Sequence, residues 1–176
     1  GYIAVGASGA ALHSADGSTW SQVTIGDNGP SLSSVAYHDN YGYLAAGEPG
    51  TIFRSFDAIE WHAVPSGTGW YIDDIKVSTR GIHIAATAII GLLDPNEGTT
   101  WSDHYGEGRL GDIAIADDYL FCLRRDYEPG LWISDKGTAW EAVDCGFTGT
   151  PTGVAVHDGK IVISNLDGSI LTHEYL

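Results

Sequence analysis

Trp70 and Tyr71 stand side by side, shortly before Asp73 and Asp74. A flat indole beside carboxylates and amides is an arrangement that stacks on a sugar ring; the competing use of Trp70 is as a plug between neighbouring sheets. A second group gathers in the charged run Arg124-Arg125-Asp126-Tyr127-Glu128, with Arg109 on an adjoining loop and Tyr105 just ahead of it. Together these arginines could hold a carboxylate, although a run of mixed charge is also how a solvated, salt-bridged loop reads. Trp70, Tyr71, Tyr105, Arg109, Arg124, Arg125 and Tyr127 are therefore the candidate ligand-binding residues.

Other chemistries find less support. The seven histidines, His13, His38, His62, His83, His104, His157 and His173, have no H-x-H or H-E-x-x-H spacing, which argues against zinc. The acid pairs Asp73-Asp74 and Asp117-Asp118, and Asp39-Asn40, match no EF-hand loop. Cys122 and Cys145 are too few for a disulfide framework or a CxxC-type metal site. No GxSxG motif, P-loop or dinucleotide fingerprint occurs. No catalytic residue, metal or cofactor is assigned, and the chain is expected not to be an enzyme.

Eight basic residues against 23 acidic ones give a net charge of −15, which repels phosphate backbones and anionic membrane surfaces. Nucleic-acid binding and membrane insertion are not expected. Only three lysines occur (Lys76, Lys136, Lys160), a composition suited to a chain that stays dissolved in salty surroundings. Methionine is absent, so Gly1 is read as a processed terminus or a cut within a longer chain. Abundant glycine, tyrosine and tryptophan point to strands and tight turns.

The elements that must position these residues are written in a repeat. Trp20, Trp61, Trp101 and Trp140 are separated by 41, 40 and 39 residues, a period typical of propellers and solenoids. A related turn precedes each: SADGSTW from Ser14, SFDAIEW from Ser55, DPNEGTTW from Asp94 and SDKGTAW from Ser134. Serine and aspartate side chains can bond the turn backbone while glycine supplies a positive φ. Ser14, Asp16, Gly17 and Trp20 form the cleanest copy. Ser55, Asp57 and Trp61 form the second, Asn96, Gly98 and Trp101 the third, and Ser134, Gly137 and Trp140 the fourth. These turns resemble the Asp-box, or BNR, repeat of sialidase-like, photosystem-assembly and phage or bacterial surface propellers. In that family the box joins the third and fourth strands of a blade, which makes these residues structural.

The resemblance covers essentially the whole chain and implies an all-β fold, a β-propeller of one domain over residues 1–176. Its repeats run approximately over 1–26, 31–65, 70–105, 109–147 and 151–176. Innermost strands are expected around Ser34-Tyr37, Asp74-Val77, Asp112-Ile115 and Gly153-Val156, and turns between second and third strands at Gly9, Gly50, Gly91, Gly130 and Gly168. The first repeat lacks an innermost strand. A five-bladed ring with an irregular seam is expected first; the alternatives are a four-bladed ring, in which residues 152–157 complete the N-terminal blade, or a fragment of a larger propeller.

Sialidases of this family clamp a carboxylate with arginines from several blades. Here Arg109, Arg124 and Arg125 come from one region, which does not match. The reading that follows is a non-catalytic extracellular, cell-surface or virion-surface module that recognises a glycan or protein through its loop-rich face. Its alternatives are a structural subunit of a filament, tail or adhesin whose seam a neighbouring chain completes, a homo-oligomer included, and a glycosidase-like enzyme.

Overall fold

The run Leu44-Ala45-Ala46 has no polar face, and such a strand is stable only with material packed on both its sides. All three residues are 0% exposed. The computed structural model describes residues 1–27, 29–78, 81–86, 89–93, 101–104, 110–116, 119–125, 129–135, 140–146 and 148–175. They form five antiparallel sheets that follow one another in chain order.

The first sheet holds β1 (Tyr2–Val5), β2 (Ala11–Ser14) and β3 (Ser21–Gln22). The second holds β4 (Leu32–His38), β5 (Gly42–Gly47), β6 (Thr51–Ser55) and β7 (His62–Val64). The third is built from β8 (Ile72–Ser78), β9 (Gly81–Ala86), β10 (Ile89–Leu93) and β11 (Trp101–His104). The fourth comprises β12 (Leu110–Ala116), β13 (Tyr119–Arg124), β14 (Gly130–Ser134) and β15 (Glu141–Val143). The fifth has β16 (Pro151–His157), β17 (Lys160–Asn165) and β18 (Ile170–Glu174). No helix among the described residues is long and apolar enough to cross a membrane.

Alternate side chains along each strand feed cores on opposite faces. Ala11 of the first sheet and Ala45 and Phe53 of the second form one core with Ile25 and Leu32. Leu44, Ala46 and Ile52 turn the other way and meet Ile72, Ile75 and Ile82 of the third sheet. In the fourth sheet Leu120 and Cys122 pack with Leu110 and Ile113, while Phe121 and Leu123 face Val154, Ile161 and Ile163 of the fifth. The inner strands β4, β8, β12 and β16 touch in that sequence.

The first sheet is three-stranded and has no strand inside β1, as the repeat alignment expects. Two expectations fail. Residues 151–157 pair with β17 and not with the first sheet, so the four-bladed arrangement does not form. Gly91 is not a turn residue: it lies within β10, opposite Ile84 and Asp103, because the strand reaches back to Ile89. Gly130 likewise opens β14, opposite Arg124. Cys122 and Cys145 are buried, unpaired thiols in separate cores.

Candidate functional site

Each inner strand carries a bulge at the same place near its start. The ladder shifts between Leu32 and Ser34, Ile72 and Asp74, Leu110 and Ile113, and Pro151 and Gly153. A bulge leaves a residue unpaired in the ladder and re-aims its side chain. Here the unpaired residues are Ser33, Asp73, Gly111 with Asp112, and Thr152, and Ser34, Asp74 and Gly153 stand next to them back in register.

Their side chains link sheet to sheet. Ser34 Oγ donates to Asp74 Oδ1 at 2.6 Å, and the Ile113 amide donates to Asp74 Oδ2 at 2.9 Å. One sheet further on, the Val154 amide donates to Asp112 Oδ2 at 2.8 Å. Lys76 Nζ lies 2.7 Å from Asp74 Oδ2 and 3.8 Å from Asp112 Oδ1. Burial pushes Asp112 up to about 6, and its hydrogen bond with the Asp74 carboxyl adds to the rise. Burial also acts on Asp74, yet the hydrogen bond from Asp112 and the charge of Lys76 hold it below the usual carboxylate value. Below about pH 6 Asp112 holds a proton while Asp74 stays ionised.

Around these bulges opens a polar cleft of about 280 Å³, lined by Ser33, Asp73, Asp74, Gly111, Asp112, Arg125 and Thr152. Arg125 lies flat across Gly111, where any Cβ would meet its guanidinium, and donates from a terminal nitrogen to the Thr152 carbonyl at 2.7 Å. Asp73 and Arg125 bring opposite charges to one opening.

The structure brings together only part of the candidate set. Arg125 lines the cleft. Arg124 packs over the Trp132 ring, 5.9 Å from its centroid, because neighbouring side chains on a strand diverge. Trp70 does not plug a gap: it is 55% exposed, and Tyr71 37%, on the loop that leads into Asp73. Tyr105, Arg109 and Tyr127 lie outside the described residues. Asp74 and Asp112 head two of the inner strands expected from the sequence, but nothing in the linear pattern sets them against each other; only superposing the repeats on a closed packing of sheets does so.

At the opposite end of the sheets lie the turns after β2 and β6. Asp16 Oδ1 accepts from the Ser18 and Thr19 amides, both at 2.8 Å, and from Ser14 Oγ, whose oxygen accepts from the Gly17 amide. Asp57 does the same for Ile59 and Glu60 with Ser55. Those amides hold both aspartates below the usual value. Ala58 adopts a φ of 61°, the conformation glycine supplies in the first copy. The Trp20 indole donates to the Gly17 carbonyl, Trp61 packs against the first core, and Trp140 packs against Leu110, Ile113, Leu120 and Cys122. Ser134 is buried at the end of β14. Asn96, Gly98 and Gly137 lie outside the described residues, and of Trp101 only the β11 backbone is described.

No family model matches the sequence, and no curated protein matches it. Solved structures do. Virginiamycin B lyase from Staphylococcus aureus superposes with a TM-score of 0.81 at 10% identity, over 99% of this chain and 65% of that one. The WD40 domain of Doa1 gives 0.75 at 14%, over 98% and 60%. The chain has a β-propeller fold. YCF48 bound to a D1 peptide gives 0.67 at 20% identity, over 96% of this chain and 62% of that one. The propeller described here thus spans less than two thirds of each of these three.

Proposed function

We propose that this propeller is a non-catalytic recognition module that takes a protein partner on the face bearing the bulged strand ends, with a basic side chain of the partner entering the cleft. The observation that carries this reading is the pairing of an acid-lined opening with an exposed indole on the loop leading into it. An indole face and carboxylates together attract a lysine or arginine head. A solved propeller of similar fold, YCF48, is in complex with a peptide, which supports the class of partner.

The commitment of the carboxylates argues against chemistry. Asp74 accepts from Ser34, Lys76 and the Ile75 and Ile113 amides, leaving no oxygen unoccupied. A glycosidase needs two carboxyl groups roughly 5–10 Å apart, whereas Asp74 and Asp112 are drawn together around Lys76, 2.7 and 3.8 Å from its Nζ. The two complete Asp16 and Asp57 turns support a place among Asp-box propellers, and the acidic, lysine-poor composition supports an extracellular, cell-surface or virion setting.

The exposed Trp70 face favours a second reading, a glycan ligand. An array of immobilised lysine- and arginine-containing peptides, run beside a glycan array, separates the two. Peptide binding weakened about tenfold by Trp70→Ala and by Asp73→Asn is expected. Glycan hits lost in Trp70→Ala, without peptide hits, favour the second reading. Silence on both arrays overturns both.

A further inference from the structure

The residue that follows the second strand of a sheet has one place in the repeat and two fates. Leu32 pairs with Gly47, Leu110 with Arg124 and Pro151 with Asn165, so Glu48, Arg125 and Leu166 are counterparts. Glu48 and Leu166 are exposed, and their amides donate to the Ser31 and Thr150 carbonyls at the lead into their own inner strands. Arg125 turns inward instead. Its guanidinium enters the cleft and donates from Nη2 to the Thr152 carbonyl of the fifth sheet. Room for it comes from Gly111, which stands where the other three inner strands carry Ser33, Asp73 and Thr152.

The inward pose leaves a donor unmade. Of the five N–H donors of a guanidinium, the head sets one on the Thr152 carbonyl, and its Nε is buried with no acceptor among the described residues. A buried donor without a partner costs about 1–3 kcal/mol. Attraction to the acids that line the same cleft, Asp73, Asp74 and Asp112, offsets that cost. A cation held by charge and by one hydrogen bond is a cation that another can replace.

Resting on the reading of this cleft as the seat of a partner's basic side chain, we propose that Arg125 is an internal competitor for it: in the free protein its guanidinium holds the place that an arginine head of the partner takes, and it swings out as the partner enters. Arginine is the side chain named because the group the cleft already accepts is a planar guanidinium, whose forked donors an ammonium does not reproduce. With the Arg125 head out, the Thr152 carbonyl is free and the cleft carries one positive charge fewer. Self-occupation lowers the apparent affinity in proportion to the fraction of molecules left open, so a cleft open about one tenth of the time binds about tenfold more weakly than an empty one.

Titrations of the wild type and of Arg125→Ala with methylguanidinium, a bare arginine head, test this, with methylammonium as the lysine analogue and the Ile113 and Val154 amide resonances as the readout. Arg125→Ala is expected to bind methylguanidinium saturably, about tenfold more tightly than the wild type does, and to bind methylammonium less well. Arginine peptides that bind the wild type on the array are expected to gain about the same factor in Arg125→Ala, a gain that the loss of a merely structural arginine does not produce. Arg125→Ser repeats the comparison should Arg125→Ala fold poorly. Equal methylguanidinium affinity in wild type and variant, or no saturable binding to either, overturns the proposal; arginine peptides that still bind, and weaken with Asp73→Asn, then leave the recognition reading standing without it. Tighter methylguanidinium binding beside silent peptide arrays upholds Arg125 as the occupant of a guanidinium seat and overturns the peptide reading alone.

Discussion

Aspartate does the same chemical job at both ends of these sheets, accepting backbone amides, and is treated in opposite ways. Asp16 and Asp57 sit at the exposed rim, where each organises a turn of its own chain segment and is held below its ordinary acidity. Asp74 and Asp112 sit among the inner strands, where each reaches an amide of the next sheet. There burial opposes charge, so Asp112 gives up its proton only as pH rises through about 6, while the rim aspartates ionise below their ordinary value. A rim carboxylate stabilises a turn; an inner one couples two sheets.

That contrast is sharpest in Asp74→Ala. The change leaves Lys76, Ser34 and the Ile113 amide without their shared acceptor, and leaving a buried donor unsatisfied costs about 1–3 kcal/mol. Urea unfolding should show a large loss for Asp74→Ala. Asp57→Ala should lower the urea midpoint by clearly less, because water can replace the acceptor at the exposed rim. Equal losses at the two sites would erase the distinction drawn between them.

The proton supplies a subtler probe. Asp112 is raised from 3.8 to about 6, so the stability it contributes is complete below its unfolded value and is lost as pH rises through about 6. Asp74 is lowered, so its contribution is present above its unfolded value and is lost only as pH falls through its folded one. Urea midpoints between pH 4 and 7 should therefore decline in the wild type relative to Asp112→Asn, which keeps an acceptor for Val154 but cannot ionise. A difference between the two proteins that does not change with pH would contradict the rise of Asp112. Least costly to the fold is Gly111→Ala. Its new methyl displaces the flexible Arg125 head and its bond to the Thr152 carbonyl, so the melting temperature should move little while a basic peptide, no longer repelled by that cation, binds more tightly.

Much of the scaffold was legible in the sequence because the repeat carries its own punctuation. The tryptophan period located the sheets, and the serine-aspartate turns after β2 and β6 are local structures whose donors and acceptors lie within a few residues. Gly91 misled because the position of a turn depends on how far the flanking strands pair, and β10 pairs as far back as Ile89. The cleft was only half legible. Grouping Arg124 with Arg125 in one charged run passed over the alternation that sends Arg124 to the Trp132 ring and Arg125 to the cleft. The exposure of Trp70 depends on whether the surface between adjacent sheets is already filled, which no local pattern states. The contact between Asp74 and Asp112 joins separate repeats and exists only once their sheets are stacked.

The links between inner strands also have a direction. Ser34 reaches Asp74, Asp74 reaches Ile113, and Asp112 reaches Val154, across sequence separations of 40, 39 and 42 residues. Gly153 stands where the next side chain in this series would be, so the relay stops at the fifth sheet. Under mechanical load such a molecule is a row of couplings in series. Tension applied at Tyr175 meets the Asp112–Val154 coupling before it meets Asp74–Ile113, and the sheets should peel away one by one, each release paying out about 14 nm of chain. Extension traces should then resemble a ratchet slipping tooth by tooth.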